Sequence, residues 1–258
     1  MHPSSNILVT PSSGGISNDF LTSLQNYYKI DEASGSTTVY DAHGSLDGSV
    51  VGTGFNSNLG ATGISSTCLQ GDGTTGHYIS MGTGTEWVFT ADFTISYWVY
   101  VNSTVVACKT TYPISKYQSF SGYRTFALGY AGSSHPTSTR RNKFVSSMYN
   151  TSNTAYSAWT TSTYTSYGWY NVVTSRISNT MTIYVNGSPD GNVTVSGAMR
   201  SNNTYQLLHG LHKSANYFEQ GWLDLMDEVA IWNGRGLDDA EVATLYNSGT
   251  GLFYDNFA

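Results

Sequence analysis

Asp92-Phe93-Thr94-Ile95-Ser96-Tyr97-Trp98-Val99-Tyr100-Val101 is the stretch whose reading decides the fold. Phe93, Ile95, Tyr97, Val99 and Val101 recur at the two-residue period of an extended chain, so they line one face of a strand. Thr94, Ser96, Trp98 and Tyr100 share the other face, an amphipathic row expected to look into a groove.

Working outward, the same period returns. Trp169–Ile177 and Met181–Val185 are β-rich runs joined by Ser178-Asn179-Thr180, the length of a hairpin turn, and Asn186-Gly187 ends the second. Asp227-Glu228-Val229-Ala230-Ile231-Trp232 is a further strand. From Phe20 onward short strand-like runs alternate with Gly/Asn/Ser turns about every ten residues, the pattern of a β-sandwich. One helix is expected after the last strand. Asp238 supplies an N-cap with Glu241 three residues on, Val242, Leu245 and Tyr246 share a face, and Gly249 stands where a C-cap belongs.

Residues 1–19 hold two of the five prolines and no apolar period, and read as an N-terminal arm ahead of one domain over 20–258. Ile7, Leu8 and Val9 within it are candidates to anchor the chain to a partner by adding a strand.

The 258 residues carry 11 Lys+Arg against 17 Asp+Glu, a net charge of −6. Such a chain offers no overall positive field to gather phosphates, which argues against nucleic acid. Charged residues make up only 11%, with 27 Gly and 20 Tyr, so hydroxyls and amides supply the polarity. Cys68 and Cys108 read as two buried thiols rather than as a scaffold disulfide. The first residues lack the basic start and apolar core of a secretory signal, and no apolar run reaches the ~18 residues of a membrane span. The expectation is synthesis in the cytoplasm and arrival at the final location by assembly.

Tyr28-Lys29-Ile30-Asp31-Glu32-Ala33-Ser34-Gly35, Asp41-Ala42-His43-Gly44 and Phe93–Val99 resemble the opening strands of the concanavalin A-like lectin/glucanase superfamily, in its laminin-G-like, pentraxin-like branch. Trp169–Val173, Ile183–Gly187, Met226–Trp232 and Leu237–Val242 are similar to its later elements in the same order. The resemblance covers about residues 27–251 and implies an all-β jelly-roll sandwich of two antiparallel sheets, one concave, with ligand loops at one rim. The phrase Lys29–Thr37 with Asp41–Ser45 also resembles laminin-G-like domains of bacteriophage tail fibres and head-decoration proteins. That implies a location on the virion surface, other virion proteins as partners, a homo-oligomer and host-surface glycans as ligands.

Glucanases of this superfamily carry Glu-x-Asp-x-x-Glu on one strand face. Here the nearest acids are Asp224, Asp227 and Glu228, so the pattern is absent and no enzyme is expected; a polysaccharide-degrading site around Asp224 and Glu228 is the alternative. Two readings stand for Asp31, Glu32, Asp41, Asp227 and Glu228. Hard oxygen ligands brought together by pairing of the first and last strands suit a structural calcium ion, and the same acids also suit turn capping. His209 and His212 are three apart, on opposite faces of a strand, and read as surface histidines.

Aromatic residues number 36 of 258, beyond what one core uses. Sugars present C–H faces to flat rings and hydroxyls to polar neighbours. Tyr112, Tyr117 and Tyr123, then Tyr149, Trp159 and Tyr164, then Tyr217 and Trp222 are the candidate carbohydrate-binding residues, each set lying among Asn, Ser or Thr. The competing reading has loop tyrosines packing an oligomer contact, with Phe93, Trp98, Trp169 and Trp232 in the core. Arg140-Arg141-Asn142-Lys143 reads as a solvated basic loop, with contact to an acidic partner surface as the alternative. The expected function is therefore a lectin-like, non-enzymatic virion protein, with a purely structural virion oligomer as the alternative.

Overall fold

The computed structural model describes residues 19–257 apart from 85, 118–123, 202–203, 209–210, 215–216 and 220. Ile7, Leu8 and Val9 lie outside the described residues. In chain order the strands begin with β1 (Leu24–Tyr28), β2 (Thr38–Val39), β3 (Gly48–Val51), β4 (Leu59–Thr62), β5 (Thr67–Gln70), β6 (Tyr78–Gly84) and β7 (Phe93–Val101). A one-turn helix α1 (Ser103–Ala107) leads into β8 (Thr111–Tyr117), β9 (Arg124–Ala131), β10 (Lys143–Tyr149) and β11 (Ala155–Trp159). Then follow β12 (Gly168–Ile177), β13 (Thr180–Val185), β14 (Ser188–Thr194), β15 (Thr204–Leu208) and a small hairpin, β16 (Leu211–Ser214) with β17 (Tyr217–Glu219). β18 (Leu225–Asn233) and α2 (Asp239–Tyr246) close the chain.

Two eight-stranded antiparallel sheets form the sandwich. The first runs β14-β13-β12-β7-β18-β5-β4, with β1 also on β18, and the second runs β11-β10-β9-β8-β15-β6-β3-β2. The core between them joins Ile95, Tyr97 and Val99 of β7 to Phe126 and Leu128 of β9, all essentially inaccessible.

β7 departs from the expectation of a groove-facing row. Its second face is also buried, because α2 and the C-terminal segment lie over the outside of the first sheet. The Trp98 ring stacks on Tyr246 at 5.8 Å, and Thr94 Oγ1 accepts from the Leu237 amide at 2.8 Å. β7 is thus a central strand with a layer on each side.

α2 starts as its sequence requires: Asp238 accepts from the Glu241 amide at 2.9 Å and Glu241 Oε2 accepts from the Asp238 amide at 2.9 Å. Its left-handed cap is Asn247, at φ 48°, two residues before Gly249. Asparagine tolerates that conformation because its short amide bonds locally, here to Gly251 O. Cys68 and Cys108 are both buried and unpaired, and burial pushes their thiols up to about 12 and about 11.

The outer cluster ties the two ends of the described chain together. Trp232 Nε1 donates to Phe20 O at 2.7 Å, and its ring meets Phe20 and Phe257 at 6.3 and 6.0 Å. Replacing fully buried Trp232 with Ala leaves a cavity and an unpaired carbonyl, so Trp232→Ala is expected to cost about 3–5 kcal/mol. Urea unfolding followed by tryptophan emission measures it, and a midpoint unmoved by the substitution would show that the outer layer does not support the sandwich.

Candidate functional site

The second sheet buries one face in the sandwich and turns the other outward. Along β8, β9 and β10 the inward residues are Ile114, Phe126, Leu128, Phe144 and Met148, all buried. Alternation therefore puts the small residues outward. The register sets Ser115 opposite Ala127, Ala127 opposite Ser147, and Ser147 opposite Ser157, a cross-strand row with no large side chain. Ser115 and Ala127 are buried, with β16 packed against β8, while Ser147 and Ser157 are half-buried and share a hydroxyl hydrogen bond of 2.7 Å.

Large aromatic residues flank this row on both sides. On one side Tyr117 and Tyr149 meet edge to face at 5.8 Å, and the Arg124 guanidinium sits 5.8 Å from the first ring and 5.9 Å from the second. On the other side the next rung is Gly129, Val145 and Trp159. Tyr112 lies over Gly129 so closely that a Cβ there would meet the ring at 3.0 Å; any larger residue displaces it. Arg140 stacks on Trp159 at 4.9 Å, and His135 meets the same ring at 6.1 Å. The loop carrying Arg140 is fastened by Arg141 Nε, which donates to His135 O at 2.8 Å. Trp159 faces Val145 and Tyr149 lies four residues on, so the two aromatic platforms stand about 13 Å apart along β10. Together with the half-buried Ser147 and Ser157 they make an outward face with a ring and a cation at each side, suited to flat, polyhydroxylated ligands.

Tyr112, Tyr117, Tyr149 and Trp159 are thus brought together on one face. Tyr123 lies outside the described residues, and of Tyr217 only the backbone, in β17, is described. Tyr164 sits elsewhere, packed on Phe144 at 5.3 Å with its hydroxyl donated to Asp190 at 2.5 Å; burial pushes that phenol up. Trp222 is a correction: it is a core residue. Its ring is fully buried against Tyr130 and Phe144, at 6.2 and 6.3 Å, and Nε1 donates to Tyr100 O at 3.1 Å. The cause lies next to it, where Gly221 is pinned by the Thr111 hydroxyl and bridges to Tyr112, which turns the following residue inward.

The five acids do not gather around one point. Asp41 accepts hydrogen bonds from Asn26 Nδ2 and from the amides of Tyr27, His43, Gly44 and Leu46, the turn-capping role. Glu32 takes the Tyr40 amide at 2.8 Å and, with Asp31 and Tyr40, lines an open cleft remote in sequence from the aromatic platforms. Asp31 itself takes the Thr67 amide at 3.1 Å. Asp227 and Glu228 are buried at a β-bulge of β18, where Glu228 adopts the left-handed region at φ 50°. Asp227 Oδ2 accepts from the Ile64 amide at 2.9 Å, and Glu228 Oε2 accepts from Tyr27 O–H at 2.6 Å. A Cβ on Gly63 would collide with Asp227 Oδ2, so only glycine fits that turn. Burial first, and mutual repulsion second, push Asp227 up to about 8; burial pushes Glu228 up to about 7. Among the described residues no three His, Cys, Asp or Glu are grouped to hold a metal. Asp31 is near enough to Asp227 and Glu228 to raise both further, and Glu32 Oε2 is buried without a hydrogen-bond partner.

Arg124 and Arg140 were not legible as site residues. The signal was a cation beside an aromatic run, but only strand pairing decides which ring each cation covers. His212 is described only in its backbone, and His209 lies outside the described residues.

The model of the concanavalin A-like lectin/glucanases superfamily matches residues 72–243, two thirds of the chain. No curated protein matches by sequence. Among solved structures, Trypanosoma rangeli sialidase in complex with sialic acid superposes with a TM-score of 0.58 at 17% identity, over 89% of this chain and 34% of that one. This chain therefore spans about a third of the sialidase. The binding domain of botulinum neurotoxin DC in complex with SialylT gives 0.59 at 15% identity, over 88% and 51%. Domain 4 of AbnA, an extracellular arabinanase of Geobacillus stearothermophilus, in complex with arabinotriose, gives 0.59 at 18% identity, over 86% and 97%. These likenesses establish the shared sandwich. No helix among the described residues is long and apolar enough to cross a membrane.

Proposed function

Because the chain belongs to the concanavalin A-like lectin/glucanase superfamily, we propose that it is a non-catalytic carbohydrate-binding protein whose ligand lies across the outward face of β8–β11. The observation that carries this reading is the pair of aromatic platforms, Tyr117/Tyr149 and Trp159, on either side of the half-buried Ser147–Ser157 pair. Three similar folds are recorded with saccharides, which supports the ligand class. Absence of catalysis is supported by where the acids sit. β8–β11 contain no Asp or Glu, Asp227 and Glu228 are buried, and Asp224 is hydrogen-bonded by Asn102. Among the described residues no pair of carboxylates for retaining or inverting chemistry lies on the proposed ligand face. The test is a glycan array with the full chain, followed by calorimetric titration of each hit; no binding to any glycan rejects the reading.

The finer part of the proposal places the domain on a bacteriophage particle, as a decoration or fibre protein held by residues 1–19. Its support is the resemblance of Lys29–Thr37 and Asp41–Ser45 to laminin-G-like domains of phage structural proteins, together with the apolar Ile7-Leu8-Val9. Deleting residues 1–19 is expected to abolish particle incorporation while leaving the melting temperature within a few degrees. Normal incorporation of the truncated protein overturns the anchoring role.

A further inference from the structure

We infer that the ligand of this face is an anionic saccharide, carrying carboxylate or sulfate groups; the inference rests on the carbohydrate-binding reading above. The charges of the chain are segregated. Seven of the 11 Lys+Arg and none of the 17 Asp+Glu fall between Phe93 and Pro189, a segment of charge +7 in a protein of net −6, which leaves −13 on the remainder. That segment supplies all four strands of the proposed face.

Of its cations, Lys116 is buried inward with Nζ donating to Gln206 at 3.0 Å and Arg176 lies on β12 of the first sheet, whereas Arg124, Arg140 and Lys143 lie at the proposed face. Arg124 is held over Tyr117 and Tyr149, and Arg140 over Trp159, so each platform combines a ring with a guanidinium. Lys143 pairs with Ala131 on the outward side of β10, and Arg141 follows Arg140 in the same loop. The acid next along the chain, Asp190, turns its oxygens to Thr161, Ser162 and Tyr164, whose hydrogen bonds hold its carboxyl below the usual range against the opposing effect of burial. A guanidinium beside a ring offers paired N–H donors to the two oxygens of a carboxylate or sulfate, and a neutral sugar makes no use of its charge. Overall negative charge repels anionic glycans everywhere except at such a local reversal.

The experiment compares matched glycans of one backbone in neutral, carboxylated and sulfated forms against the full chain, at low and raised salt. The carboxylated or the sulfated member is expected to bind at least about tenfold more tightly than the neutral one, with the preference shrinking as salt rises. Arg140→Gln, in an exposed loop, and Arg124→Gln are each expected to reduce that preference, read as the ratio of anionic to neutral affinity, several-fold. Equal or tighter binding of the neutral form overturns the inference and leaves the carbohydrate reading standing. Failure of all three forms to bind overturns both.

Discussion

From about pH 4 to about pH 8 the protein is expected to lose stability by several kcal/mol, because Asp227 and Glu228 keep their protons in the fold and lose them on unfolding. In the unfolded chain these carboxyls titrate near 3.8 and 4.5, whereas in the fold burial moves them to about 8 and about 7. Within that window the native state binds more protons than the unfolded state, so the unfolding free energy falls as pH rises. The contribution is complete below the unfolded values and gone above the folded ones, at about 1.4 kcal/mol for each pH unit by which a carboxyl is displaced. Asp72 and Asp190, held low by hydrogen bonds despite burial, act in the opposite sense, and their share is lost only in acid. Glu228→Gln keeps an acceptor for Tyr27 O–H and is expected to flatten the profile and raise stability at pH 8. Guanidinium unfolding at several pH values, with calcium and with chelator, checks this. A bound divalent cation would hold both carboxyls ionised and reverse the slope, so stability rising towards pH 8 only with calcium would place a metal at this site.

Trp159→Ala and Tyr149→Ala are each expected to lower glycan affinity about tenfold or more, and the double substitution to bring binding close to background. Aromatic anchors at binding interfaces commonly cost about 2 kcal/mol or more when truncated. With the platforms about 13 Å apart along β10, the two losses should add. Both side chains are half-buried, so the melting temperature should change little. Calorimetric titration against the best glycan, beside light scattering of the same samples, separates the two uses of these rings. Loss of an oligomer from Tyr149→Ala, without any sugar binding to lose, would favour the purely structural alternative.

The all-β sandwich was legible because its signals are local. β7, β12, β13, β18 and α2 each announce themselves by a period, a turn or a capping pair within ten residues. β8–β11 were harder, since their tyrosines, serines and threonines read equally well as polar loops, and only hydrogen-bonding to neighbours makes them strands. Thr94, Ser96 and Trp98 show the same limit in reverse: a face that alternates like a wet surface is dry because α2 covers it. The acids near both ends of the chain were visible, but whether they ligate an ion or cap turns depends on which N–H groups reach them, and those come from distant loops.

Sequence alone determined the class of fold, the start of the helix and the surplus of aromatic rings, since each follows from residues near one another along the chain. Only the tertiary structure decided that Tyr112, Tyr117, Tyr149 and Trp159 share a face while Trp222 fills the core. The physical reason is register: a one-residue difference in strand pairing sends a side chain to the opposite side of the sheet, and pairing is fixed by contacts between segments far apart in sequence.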